Sequence, residues 1–168
     1  MCESVVFDDI RVLIKYISQK STRPMTPLRI QKTLYFLFAF YGATYGKLNS
    51  SNEEENKFEG LGEQDYPKYL FKEEFEAWNY GPVIRSVYKM KKYNPEELED
   101  ADGWNIETEI DKNIQDLLNQ VIEQTDELGD FQLVERSHED MAWKNAFEQG
   151  QPTMKKELII GEYAKDVF

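Results

Sequence analysis

Cysteine and histidine are nearly missing from this chain: Cys2 is the single thiol and His138 the single imidazole among 168 residues. One thiol cannot close an internal disulfide, so the fold stands without a disulfide framework, which suits a reducing compartment. One Cys and one His do not make a clustered zinc site either. The 32 Asp and Glu residues show no calcium-loop pattern. Phosphate-cradling glycine patterns between a strand and a helix are also absent. No metal and no cofactor are expected. No run approaches the ~20 apolar residues that span a bilayer. The amino terminus lacks the basic region and apolar stretch of a signal peptide. These absences lead us to expect a cytoplasmic protein with no membrane partner.

The material that is present suits one globular unit. Hydrophobic residues make up 40% of the chain and charged residues 31%, enough for a core and too apolar for a disordered chain. Aromatic residues reach 14%; a ring-rich core and a ring-rich interface both account for that excess. Net charge is −12, which disfavours nonspecific binding to nucleic acid. The charge is uneven. Residues 1–46 carry six basic and three acidic residues, a balance of +3, against −15 for the remainder. An acidic body suits a basic partner, and it equally describes a well-solvated surface.

Hydrophobic spacing predicts a mainly α, single-domain helical bundle. Val6, Ile10, Leu13, Ile14 and Ile17 form an apolar stripe on a first helix over residues 4–18. Thr26 then Pro27 read as N-cap and first helical residue of a second helix, with Met25 and Ile30 placed as a hydrophobic staple. Its apolar residues occupy most sides as far as Gly46, which predicts a central position. Residues 47–68, rich in Asn, Ser, Glu and Gly, read as a flexible loop insertion. A short β segment or hairpin is expected over residues 69–78. Pro82 is read as opening a third helix, Asn94-Pro95 a short acidic turn, and residues 106–128 a fourth long helix ended by Gly129. Phe131, Leu133 and Val134 suggest another short helix. Ser137, with Asp140, is expected to cap the next, and Thr153 the last.

Candidate chemistry is sparse. Ser137 and His138 are adjacent, but a nucleophile and its base must face each other with a third group orienting the base. Neighbouring residues at a helix start do not arrange that. Glu73 and Glu74 are likewise only neighbours in sequence. No catalytic residue is assigned, and no enzymatic activity is expected. Arg23, Arg29 and Lys32 gather near the start of the second helix, where a helix amino terminus can hold a phosphate. That helix is too apolar to lie in a DNA groove, so direct nucleic-acid binding is not expected.

Three segments carry a resemblance. They are Met25-Thr26-Pro27-Leu28-Arg29-Ile30-Gln31-Lys32 on to Tyr45-Gly46; Leu70-Phe71 with Ala77-Trp78-Asn79-Tyr80-Gly81-Pro82-Val83 and Val87-Tyr88; and Leu133, Ser137-His138-Glu139, Trp143-Lys144 and Lys156 to Ile159. Their order and spacing, from Met25 to about Tyr163, resemble the Panacea, or SocA-like antitoxin, domain of bacteria and phages, including GepA-type mobile-element proteins. The resemblance implies a non-enzymatic antitoxin that binds and neutralises a toxin encoded beside it. It also leaves open an adaptor that delivers a partner to a ClpXP-type protease or chaperone machine, and a phage or mobile-element host-takeover factor. Family members pass almost directly from Tyr-Gly to Leu-Phe, whereas residues 47–69 intervene here. Tyr80, Arg29, Lys32 and Arg85 are the expected partner contacts. Trp78, Gly81, Pro82, His138 and Trp143 are expected to define the fold.

Overall fold

The central helix starts where the sequence predicts. The Thr26 hydroxyl accepts from the Arg29 N–H at 3.1 Å, and Pro27 opens α2, Pro27–Tyr41. Its last turn widens into a π-helical segment, Gly42–Gly46. Every residue from Arg29 to Ala39 is buried. A helix without an exposed face needs cover on all sides, and the remaining elements supply it. The computed structural model describes residues 5–46, 66–98, 110–150 and 153–167.

Seven α-helices are formed among the described residues. Besides α2 they are α1 (Ile10–Lys20), α3 (Arg85–Tyr93), α4 (Lys112–Asp126), α5 (Asp130–His138), α6 (Met141–Glu148) and α7 (Lys156–Val167). Two small sheets accompany them. Strand β1 (Val5–Phe7) pairs in parallel with β2 (Tyr69–Phe71), and β3 (Glu76–Trp78) pairs antiparallel with β4 (Gly81–Val83). The chain is mainly α with a short hairpin, as its spacing predicts. Helices α4, α5 and α7 with β2 and β4 pack along α2, and α3 adds to that cover. Helix α1 takes its main cover from α4, β1 and the 3-10 turn Pro95–Leu98.

Several boundaries differ from expectation for nonlocal reasons. Val5–Phe7 is a strand because Tyr69–Phe71 lies alongside it, so α1 begins later, at the Asp9 cap, whose carboxylate accepts from the Arg11 N–H at 3.0 Å. Pro82 sits opposite Ala77 in the hairpin and does not open a helix. The Ile84 N–H and C=O are both held by the Gln31 amide, at 2.8 and 3.2 Å, and α3 starts only after them. Ser137 is not a cap: it lies in the last turn of α5 and donates to the Val134 carbonyl at 2.7 Å. Asp140 is the N-cap residue of α6. Gly129 precedes α5 as its N-cap instead of ending α4. Thr153 bridges to Glu76 as a short β contact, three residues before α7 begins. The expected start of the fourth helix at Ile106 lies outside the described residues, as does most of the insertion over residues 47–68.

The two ends flanking residues 47–65 lie side by side. Gly46 presses on the Lys68 carbonyl so closely that a Cβ there would come within 2.0 Å of it. The Tyr45 and Tyr66 rings meet at 4.6 Å, and the Tyr41 hydroxyl donates to the Pro67 carbonyl at 2.5 Å. A chain whose ends already meet can lengthen between them at little cost, because loop-closure entropy grows slowly with length.

Leu34 is fully buried in α2. Leu34→Ala removes its methyl groups and leaves a cavity, so stability should fall by roughly 2–5 kcal/mol. Urea unfolding of the two proteins measures this. A loss under about 1 kcal/mol would contradict the central placement of α2.

Candidate partner-binding site

The hairpin Glu76–Val83 gathers the most distinctive residues of the sequence, and the helices behind it hold them. Gly81 has a φ of +105°, a conformation that side-chain-bearing residues rarely adopt. A Cβ there would lie 2.5 Å from the Ser137 Oγ and 2.9 Å from the Lys32 Cε. The hairpin therefore lies directly on α2 and α5, and Gly81 is the residue that lets it approach. Pro82 is buried, and its carbonyl accepts from the Lys32 Nζ at 3.0 Å. At the other strand, the Trp78 carbonyl accepts from the Trp143 Nε1 at 2.9 Å. Trp143 stacks between His138 at 4.2 Å and Phe147 at 4.9 Å. His138 is thus one face of an aromatic stack, and its Nε2 has no hydrogen-bond partner among the described residues.

The structure separates the four expected contact residues into two pairs. Arg29 and Lys32 are 1% and 0% exposed, so they present no surface to a partner; for them the expectation is corrected. Arg29 pairs with Asp130 at 2.8 Å and donates to the Thr125 carbonyl at 2.9 Å and to that of Leu128. It satisfies the carbonyl end of α4, where a cation is favourable. Lys32 is inside because α2 offers no solvent-facing side on which its stem could reach water. Burial pushes its pKa down from the usual lysine value to about 8.

Tyr80 and Arg85 lie outside. Tyr80 is 62% exposed at the hairpin tip. The Arg85 side chain is 55% exposed and grips Glu76 with two bonds of 2.8 and 2.9 Å. Its guanidinium lies 5.5 Å over the Trp78 ring. Trp78 meets Tyr88 edge-on at 5.0 Å, and Lys92 lies over both Tyr88 and Tyr93 at 5.5 Å. The result is a strip of alternating rings and cations running from the hairpin down α3. Arg85 holds the Glu76 carboxyl below the usual range, chiefly through its hydrogen bonds. Glu76, Tyr88 and Lys92 are not among the partner contacts expected from the sequence. The spacing of Arg85, Tyr88 and Lys92 along one helix was the available signal.

Ser137 and His138 do not form a nucleophile–base couple: the serine hydroxyl is buried on the Val134 carbonyl, and the imidazole lies flat on Trp143. Among the described residues, no group of three or more His, Cys, Asp or Glu could hold a metal. No described helix is long and apolar enough to cross a membrane.

The hairpin, its aromatic support and the following helix lie within a family match. The description of that family is antitoxin SocA-like, Panacea domain, and the match spans residues 58–144, half of the chain. The chain belongs to this family. The matched residues include the second segment of the resemblance and Leu133 to Lys144; Met25 to Gly46, which contains α2, and Lys156 to Ile159 lie outside them. No curated protein and no solved structure matches the chain.

Lys32 supplies a pH test. Its folded pKa, about 8, lies below the ordinary lysine value of 10.5, so between those values the unfolded chain binds the proton that the folded chain releases. The desolvation cost of the cation is fully present below pH 8 and is relieved as pH rises towards 10.5. Wild type should gain stability relative to Lys32→Met between pH 7.5 and 9.5, with a slope of at most about 1.4 kcal/mol per pH unit. Paired urea titrations measure the difference, from which the shared tyrosine titrations cancel. Parallel pH profiles would contradict the buried ammonium.

Proposed function

We propose that this chain is an antitoxin that neutralises a toxin encoded beside it by direct protein–protein binding, without catalysing a reaction. One observation carries the reading. In a SocA-like antitoxin domain, the family-motif hairpin is held from inside, yet it leaves Tyr80 and Arg85 on the surface. Trp78, Gly81, Pro82, His138 and Trp143 hold that surface in place. Tyrosine and arginine are the side chains that most often dominate binding energy, through large amphipathic area and fixed donor geometry. The insertion over residues 47–68 is a second place for partner specificity, since binding residues often sit on loops.

Co-expression with the neighbouring gene tests the reading. That gene should be toxic alone and tolerated with this chain present. A harmless neighbour, or one that stays lethal, overturns the proposal. Tyr80→Ala should melt near wild type, because exposed changes of this kind usually stay within about 0.5 kcal/mol; Arg85→Ala gives up the Glu76 pair and should melt slightly lower while staying folded. Each should weaken toxin binding on the order of 30-fold if it anchors the contact, corresponding to about 2 kcal/mol. Toxin turnover in cells with and without ClpXP separates the two modes: unchanged turnover means sequestration, and ClpXP-dependent loss means proteolytic delivery.

A further inference from the structure

Helix α3 is anomalous in its charge. In a chain of 32 acidic and 20 basic residues it carries Arg85, Lys89, Lys91 and Lys92 and no carboxylate. Arg85 is engaged by Glu76, whereas among the described residues no carboxylate makes a direct ion pair with Lys89, Lys91 or Lys92; Lys89 acts on Glu76 from farther off, and Lys92 donates to the Tyr88 hydroxyl at 3.3 Å. Favourable placement at the helix carboxyl end accounts for Lys91 and Lys92 singly. It does not account for what lies beside them.

Only Val87 of α3 is fully buried. The helix therefore rests on α2 along a narrow contact and leaves a groove of about 280 Å³. Pro27 and Tyr88 flank it, the buried Ile30, Gln31 and Val87 lie at its floor, and Lys91 and Lys92 form its basic edge. The volume falls just under the roughly 300–1,000 Å³ of sites that enclose a whole small ligand, so it suits one or two side chains of a docked segment. A helical or extended segment recognised this way needs an apolar anchor for the groove and charges matched to its edge.

We infer that the groove between the first turn of α2 and α3 docks an acidic segment of a protein partner, with an aliphatic or aromatic side chain seated between Pro27 and Tyr88. The carboxylates of that segment meet Lys91 and Lys92. The net charge of −12 does not prevent this. At physiological ionic strength the screening length is about 8 Å, so the lysines at the groove govern the contact while more distant carboxylates are screened. This inference rests on the antitoxin reading only for who the partner is; the chemistry of the groove is tested apart from it.

The experiment measures fluorescence anisotropy of the full chain with three labelled twelve-residue peptides. The first is rich in Asp and Glu and carries two leucines. The second replaces the leucines by serine, and the third replaces the acids by lysine. The first should bind, and each control should bind at least tenfold more weakly. The Lys91→Glu/Lys92→Glu double variant, with a wild-type melting curve, should also lose at least tenfold. Equal binding of the serine peptide would reduce the site to general electrostatics and overturn the groove. Binding by the double variant as by wild type, or no binding up to millimolar peptide, overturns it too. A dimer of this chain that the double variant dissolves, with no peptide bound, would make a second copy the occupant and sink the proposal. Toxin protection by the wild-type chain is scored separately. Protection without peptide binding leaves the antitoxin reading standing and removes the groove; peptide binding without protection does the reverse.

Discussion

Complete burial of α2 is the constraint from which the rest of the structure follows. Polar side chains on a helix interior to a domain are costly to leave unpartnered, because an unpaired buried amide or hydroxyl costs roughly 1–3 kcal/mol and an unpaired charge more; the Thr33 hydroxyl is the exception on α2, with no partner among the described residues. Along α2 the partners are parts of other elements. Arg29 holds the end of α4 and the start of α5, Gln31 holds Ile84, Lys32 holds Pro82, and Tyr35 holds Asp140. Apolar packing alone would tolerate sliding of these neighbours along the helix. Each hydrogen bond fixes one neighbour at one height, so desolvation of a few polar groups specifies where the hairpin and four helices dock.

Asp140 shows the same logic from the other side. Its buried carboxylate accepts from the Tyr35 hydroxyl at 2.5 Å, the Tyr163 hydroxyl at 2.6 Å and Arg136 at 2.8 Å. One side chain thereby joins α2, α5 and α7. Burial, with the neighbouring acid and ring, raises the pKa of both tyrosines and keeps them neutral donors. Because Asp140 is engaged inward, it caps no N–H of α6. Glu162 from α7 takes that role, accepting from the Met141 and Ala142 N–H groups at 2.8 and 3.0 Å. A cap displaced to another helix stabilises the same N–H groups while tying α7 to α6.

What the sequence revealed follows the range of each interaction. Thr26 and Pro27 are a local signal, and α2 begins at them. Asn79 to Pro82 reads locally as a turn, and the hairpin turns at Asn79 and Tyr80, with Gly81 and Pro82 already in β4. The strand at Val5–Phe7 depends on Tyr69–Phe71, which no local pattern near residue 5 contains. Charge alone places Arg29 and Lys32 on the surface, whereas the apolar sides of the same helix place them inside. Those two statements conflict. The conflict itself was the available signal, since a cation on a helix without a solvent face must find acceptors inside. Its acceptors, the carbonyls of Pro82, Thr125 and Leu128, lie 50 to 99 residues away, beyond the reach of spacing arguments.

This relocation changes where a basic surface exists. The first 46 residues hold an excess of cations in sequence, but Arg29 and Lys32 are interior, Arg11 pairs with Asp9, and Arg23 donates to the Asp126 carbonyl at 2.6 Å. Little of that excess is presented as a face. The cations of α3 have no comparable internal partners apart from Arg85, and they follow directly on the motif hairpin. Residues that hold the hairpin from within cannot vary without disturbing packing on α2. Tyr80, Arg85 and the lysines of α3 are under no such restraint, because their removal leaves no cavity and strands no buried polar group. A domain built this way keeps a fixed platform and a chemically adjustable strip on the same short stretch of chain. That separation leaves the chemistry of the strip free to change without rebuilding the core.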